Sequence, residues 1–225
     1  MKKLLKGIID FHQNRRNQVK DTFAQLALGQ SPDVFFIACS DSRVAVNVFA
    51  STEPGDLFVI RNAGNFVTPF SSSDLVPEDE SEVAALEFAL EYLKVPHIIV
   101  CGHSDCGAIK ALCQGRENIQ FPHLRSWLRH GEEALERVRS RKLNLDGPEQ
   151  VNAVSKENVL LQMEHLKSYD RVMDRIEKGQ LMLHGLWFDI QNTDVYYASL
   201  DERVFRIIDD VEGERVLALL KGKET

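Results

Sequence analysis

The chain has 225 residues, 44% hydrophobic and 27% charged, the balance of a soluble globular protein with a sizeable core and no need of a second domain. Its formal net charge is -7, with lysines and arginines spread along the chain, which argues against the concentrated basic footprint of a nucleic-acid binder. No run of about 18 apolar residues occurs, so no membrane span is expected.

The N-terminus, MKKLLKGIIDFHQNRR, starts like an export signal, but Lys6, Gly7 and Asp10 interrupt its apolar stretch. Leu4, Leu5, Ile8 and Phe11, then Val19, Phe23 and Leu26, recur at helical spacing. Residues 3–28 are therefore expected to form one or two helices, closed by Gly29 and Pro32, and residues 1–30 read as a helical arm. DVFFIAC (33–39) is a continuous apolar run suited to a strand buried on both faces. A short helix is expected over 44–51, and EPGD (53–56) turns the chain into LFVIR (57–61), a second buried strand. Residues 65–81 read as a Ser- and Pro-rich loop, and SEVAALEFALEYLKV (81–95) as a helix capped by Ser81.

PHIIVC (96–101) is the third buried strand, and a helix should start at Asp105 and run to Cys113. Two helical regions follow, at 123–140 and 150–179, the second broken near Tyr169. Residues 181–190 and 195–200 then read as a fourth strand and an edge partner. Buried strands alternating with helices predict one α/β domain over 1–225, with an open, mainly parallel central sheet flanked by helices.

The chemistry gathers at two strand ends. VFFIAC is followed by SDSR, and HIIVCG by HSDCG; both fall on the carboxyl edge of the sheet, where ligands bind in such folds. With no export signal, the four cysteines are expected to be reduced, in the cytoplasm, and so free for metal or catalysis. If the two strands are neighbours, Cys39, His103 and Cys106 converge, and two thiolates with an imidazole suit zinc. Three ligands leave a fourth position open, as in a catalytic site. Asp41 is placed to occupy or guard it, and Arg43 to hold Asp41 in a charge-assisted pair. A lone cysteine at a strand end is more often core, and Asp and Arg two apart are usually a solvated pair. The coincidence at equivalent strand ends, with Gly102 and Gly107 expected to give close backbone approach, favours the metal. Cys101 and Cys113 read as core, Trp127 and Trp187 as packing, and His12, His97, His123, His130, His165 and His184 as surface or satisfied.

The spaced residues Cys39, Asp41, Arg43, His103 and Cys106 resemble the pattern of the beta-class carbonic anhydrases. The similarity extends to GQSP (29–32), EPGDLFVIRNAGN (53–65), GHSDCGAIKAL (102–112) and LHGLWFDI (183–190). The resemblance implies N-terminal arms that embrace a second subunit, giving a homodimer or a dimer of dimers. It also implies one zinc per subunit and reversible hydration of carbon dioxide to bicarbonate, with zinc-bound hydroxide oriented by Asp41 and Asp41 by Arg43. Within the plant-like branch, Gln30 would donate to the substrate, and Phe58 and Phe88 would line its pocket, Phe88 in place of a tyrosine. The branch regulated by bicarbonate carries a tryptophan and a tyrosine where this chain has Phe36 and Phe188. Arg61, the third member of that regulatory set, is present but cannot make the site alone, so with Phe36 and Phe188 in the other two places a bicarbonate-locked form is not expected.

Other readings fit less well. A cysteine phosphatase needs five residues between Cys and Arg, and Cys39 and Arg43 enclose three. Hydrolysis of carbonyl sulfide or carbon disulfide uses the same ligands in relatives of the family. A non-catalytic zinc module would have no use for Asp41 and Arg43.

Overall fold

The computed structural model describes residues 1–70 and 80–221, so most of the loop expected at 65–81 lies outside the described residues. The arm consists of α1 (Lys2–Asp10), a π-helical turn at Phe11–Arg15, and α2 (Arg16–Leu26). Neither helix buries a residue, and Leu4, Leu5, Ile8, Phe11 and Phe23 are exposed. At its C-terminal end Leu26 meets the turn before the second strand. A Cβ on Gly55, which has φ +104, would lie 2.6 Å from Leu26 Cδ2.

Six strands form one sheet. They are β1 (Val34–Cys39), β2 (Leu57–Asn62), β3 (His97–His103), β4 (Met182–Asp189), β5 (Asp194–Ser199) and β6 (Val204–Ile207), in the order β2-β1-β3-β4-β5-β6. The first three pairings are parallel, and β5 and β6 add antiparallel strands at one side. β1 and β3, which carry the chemistry, are thus neighbours in the middle of the sheet.

Two expectations about strands need correction. β2 is not buried on both faces: it is an edge strand, half-buried at Leu57, Phe58 and Ile60, with Val59 and Arg61 exposed. β5 is not the edge, because β6 pairs along its outer side. The four residues of β6, with Arg206 among them, carry no strong strand pattern, and the following helix α10 (Asp210–Lys221) was equally unmarked.

Between the strands lie α3 (Val46–Phe49), α4 (Glu80–Glu87), α5 (Gly107–Cys113), α6 (Pro122–Trp127), α7 (Glu132–Ser140), α8 (Gly147–Lys167) and α9 (Asp170–Glu177). Ser81 lies inside α4 rather than at its cap; the helix continues as a π-helical stretch, Phe88–Leu93, and ends where Lys94 turns left-handed. The region 123–140 divides at a tight turn, Leu128–Gly131, and the break near Tyr169 falls between α8 and α9.

The alternation of β1 divides the core. Phe35 and Ile37 join Ile98, Val100 and the Val159, Met163 and Leu166 side chains of α8, whereas Phe36 and Ala38 join Cys101, Val44 and Phe188. The long helix α8 approaches β3 closely because Gly102 has no side chain: a Cβ there would stand 2.8 Å from Val159 Cγ2. Gly107, expected to play the same part, does not: a Cβ there would meet open space. Buried Glu157 on α8 takes ion pairs from Arg137, Arg141 and Arg203, tying α7 and the β5–β6 turn to the helix that backs the site.

Candidate metal centre

Cys39 ends β1 and His103 ends β3, and the parallel register sets Ala38 beside Cys101, bringing both ends to the same level. The chain then turns through Ser104 and a left-handed Asp105, φ +50, to Cys106 at the N-cap of α5. The Sγ atoms of Cys39 and Cys106 are 3.9 Å apart, and with a His103 ring nitrogen all three ligand atoms lie within 4.8 Å of one another. All three residues are buried, and among the described residues they form the one such group of histidine, cysteine and carboxylate side chains.

The histidine is prepared from behind. Its Nδ1 lies 2.9 Å from the carbonyl of Ser104, which can only accept, so Nδ1 carries the proton and Nε2 presents a lone pair. Nε2 is buried and has no hydrogen-bond partner among the described residues. Ser155 of α8 donates to the His103 carbonyl at 2.8 Å, and the indole N–H of Trp187 donates to Ser155, so Trp187 does more than pack. An orphaned, oriented lone pair facing two thiols fits a thiophilic divalent ion.

The thiols show the same need. With no cation between them they cannot both ionise. Hydrogen bonding from Cys106 drives Cys39 well below the ordinary thiol value against the opposing cost of burial, helped by His103 and the amides of Gly64 and Asp41. The same contact, burial and the Cys39 charge drive Cys106 up, although the amides of Ala108 and Ile109 pull the other way. A divalent cation would remove the conflict by allowing both thiolates.

Asp41 stands beside this triad, held by the neighbouring guanidinium. Arg43 Nε donates to Oδ1 at 3.0 Å and Nη2 to Oδ2 at 2.8 Å, while the Arg43 amide also reaches Oδ1. These bonds keep the carboxyl well below the usual carboxylate range, more than offsetting its partial burial. Arg43 has a second acid: Nη1 donates to Asp105 Oδ2 and Nη2 to the Asp105 carbonyl, both at 3.1 Å. Arg61, expected only as part of a regulatory set, clamps the loop backbone by donating to the carbonyls of Cys39 and Asp41. No local sequence pattern announced Ser155 or the pairing of Asp105 with Arg43; Arg61 is placed by its register opposite Ala38.

The remaining expected site residues lie elsewhere in the chain. Phe58 packs between Phe35 and Phe88, with ring centroids 5.6 and 5.7 Å away. Its register partner Phe35 is four residues before Cys39, roughly 13 Å along the strand from the metal end. Gln30 is exposed in the segment after α2. Cys101 is fully buried in the cluster of Phe36, Ala38 and Phe188, where burial pushes its thiol up to about 12, and Cys113 is half-buried on α5. Phe36 and Phe188 are both buried, each against Phe49.

Comparison with known proteins agrees with this geometry. A family model described as carbonic anhydrase matches residues 34–195, from β1 into β5. A carbonic anhydrase of Synechocystis sp. is 38% identical over 87% of this chain and 70% of its own length. One of Pseudomonas aeruginosa is 36% identical over 85% and 84%. Among solved structures, the beta-carbonic anhydrase CcaA superposes with a TM-score of 0.86 at 36% identity, covering 92% of this chain and 98% of the other. A structure from a study of two tetrameric beta-carbonic anhydrases of Sordaria macrospora gives 0.76 at 28% identity, covering 87% and 95%. With sequence, fold and metal-ligating triad in agreement, this chain belongs to the carbonic anhydrase family, in its beta class, and is an enzyme of the lyase type.

Proposed function

We propose that the chain hydrates carbon dioxide reversibly with one zinc per subunit, held by Cys39, His103 and Cys106. The observation that carries this reading is the buried Nε2 of His103, fixed in tautomer by Ser104 and left without a partner beside two thiols. Zinc there would act as a Lewis acid that makes a hydroxide nucleophile available from water near neutral pH. Asp41, ionised and beside the triad, would accept a hydrogen bond from that nucleophile and so orient it towards the substrate. Arg43 keeps Asp41 ionised and turned for this work, and Arg61 holds the backbone on which both depend. In a closed form Asp41 would leave Arg43 and become the fourth ligand.

Gln30, Phe58 and Phe88 are proposed as substrate-binding residues. The distance of Phe58 from Cys39 along the sheet supports an arrangement in which these three serve the metal centre of a second copy. The exposed apolar side chains of α1 and α2 support the same homodimer, or a dimer of dimers. A cytoplasmic location fits the four unpaired cysteines. Among the described residues no helix is long and apolar enough to cross a membrane. Phe36 and Phe188, which offer no hydrogen-bonding group, support an enzyme without a bicarbonate-locked state.

Zinc content by elemental analysis and stopped-flow carbon dioxide hydration test the reading together. One equivalent of zinc and rapid hydration at pH 8 are expected; zinc-loaded protein without hydration at pH 8 and above would defeat it. Crystals soaked in bicarbonate that showed the ion wedged beside Arg61, with Asp41 turned onto the metal, would overturn the regulatory part alone.

A further inference from the structure

We propose that Asp105 is a positioning residue for Asp41, acting through Arg43; the proposal rests on the reading that Asp41 orients the nucleophile. A guanidinium has five N–H bonds in one plane, and in Arg43 four of them are engaged. Nε and one hydrogen of Nη2 take Asp41, while Nη1 and the other hydrogen of Nη2 take the carboxylate and carbonyl of Asp105. Two partners on adjacent edges fix both the plane and the rotation of the fork. One alone would leave Arg43, whose side chain is 44% exposed, free to swing towards solvent.

Asp105 is itself tied down. Its amide donates to Asn152 Oδ1 on α8 at 2.9 Å, and its left-handed backbone is one that aspartate tolerates better than most residues. A continuous line therefore runs from the rigid helix through Asn152, Asp105 and Arg43 to Asp41. The Arg43–Asp105 pair is half-exposed on both sides, so its Coulomb energy adds little to stability. Its effect is geometric: it sets the angle at which Asp41 faces the metal centre.

The test uses the full-length zinc-loaded protein. Asp105→Gly removes the carboxylate while accepting the same φ and keeping the carbonyl, and Asp105→Asn restores an acceptor of the same shape. Asp105→Gly is expected to lower kcat ~3–10-fold, with KM and zinc content unchanged, as suits loss of one half-exposed positioning contact. Asp105→Asn should recover most of that loss. In an Arg43→Ala background, Asp105→Gly should have no further effect, because its influence passes through the missing guanidinium. A crystal structure of Asp105→Gly should show Arg43 turned out of its two-point contact with Asp41.

Wild-type kcat in Asp105→Gly, or an equal fall in the Arg43→Ala background, would overturn the proposal; the second result would assign Asp105 to shaping the Cys106 turn. Failure of the underlying reading is separate, since wild-type protein would then lack hydration activity. The crystal structure would still decide: Arg43 unmoved in Asp105→Gly would overturn the proposal, and Arg43 displaced would uphold the clamp.

Discussion

Strand β3 begins and ends with a histidine, and the two rings have opposite surroundings. At its start, His97 Nδ1 lies 3.1 Å from His184 Nε2, and His184 Nδ1 lies 3.0 Å from the Tyr197 hydroxyl. That cluster satisfies itself across three neighbouring strands. At the other end, six residues on, His103 places one nitrogen on a backbone carbonyl and leaves the other bare, facing two thiols. Burial does not separate the two cases as clearly as hydrogen-bond accounting does: a ring nitrogen with a polar neighbour is finished, and a bare one among soft donors is waiting for an ion.

The largest effect should come from exchanging these fates. His103→Gln removes one of three ligands, so zinc occupancy by elemental analysis should collapse and hydration fall by on the order of 10³-fold or more. His97→Gln should leave zinc and hydration near wild type, with the cost appearing only in stability. Zinc retained at one equivalent in His103→Gln would mean that the triad has been misassigned. A collapse of zinc in His97→Gln would mean that the distal cluster shapes the site.

Next in size is Asp41→Asn, which keeps the shape of the side chain but removes the charge that Arg43 holds. Hydration should fall about 10²-fold, the scale of losing a positioned proton acceptor, while zinc stays bound. Unchanged turnover would confine Asp41 to a structural role beside the metal.

The comparison also explains what the sequence disclosed. Cys39, His103 and Cys106 were legible because two apolar runs end in the same kind of polar cluster, and strand ends on one edge of a parallel sheet meet. Asp41 and Arg43 were legible because their spacing is local. Ser155 and Asn152 were not, since each acts across a gap between elements and its letter has no unusual neighbours; Asp105 stood inside the HSDCG cluster, but its partner Arg43 lies 62 residues away in the sequence. The fold followed the same division. Buried strands announce themselves by composition, whereas β2 at the edge looked like β1, and β6, short and containing Arg206, drew no assignment. Gly102 met the expectation of close approach and Gly107 did not, because only the former lies under α8.

A third histidine sharpens the rule. His130 is buried with an unpartnered Nε2, as His103 is, but it packs against Trp127, the ring centroids 5.4 Å apart, and among the described residues it belongs to no cluster of metal-ligating side chains. Burial first, then Arg129 and His165, push its value down to about 4. The sign follows from proton counting. Below the unfolded value near 6.5, the unfolded chain binds a proton that folded His130 refuses, so stability falls as pH drops from about 6.5 towards 4 and then levels. Between pH 7 and 5 this histidine alone should cost roughly 2 kcal/mol. Urea unfolding at both pH values, compared with His130→Gln, isolates its share; an identical pH slope in the variant would show that His130 is charged in the fold.

The smallest expected change belongs to the quiet end of β3. Tyr197→Phe deletes the hydroxyl that meets His184 Nδ1 and nothing else in the cluster. A hydrogen bond of this kind contributes about 1 kcal/mol, and because His184 is buried the loss of the hydroxyl should cost at least that much. Hydration activity and zinc content should not move, because Tyr197 lies on β5, three strands across the sheet from Cys39 on β1, and its influence ends at His184. Denaturant unfolding of the zinc-loaded variant measures the first and the hydration assay the second. Activity falling together with stability would show that the two ends of β3 are coupled through the strand, and a histidine satisfied at one end would then be part of what holds the bare one in place at the other.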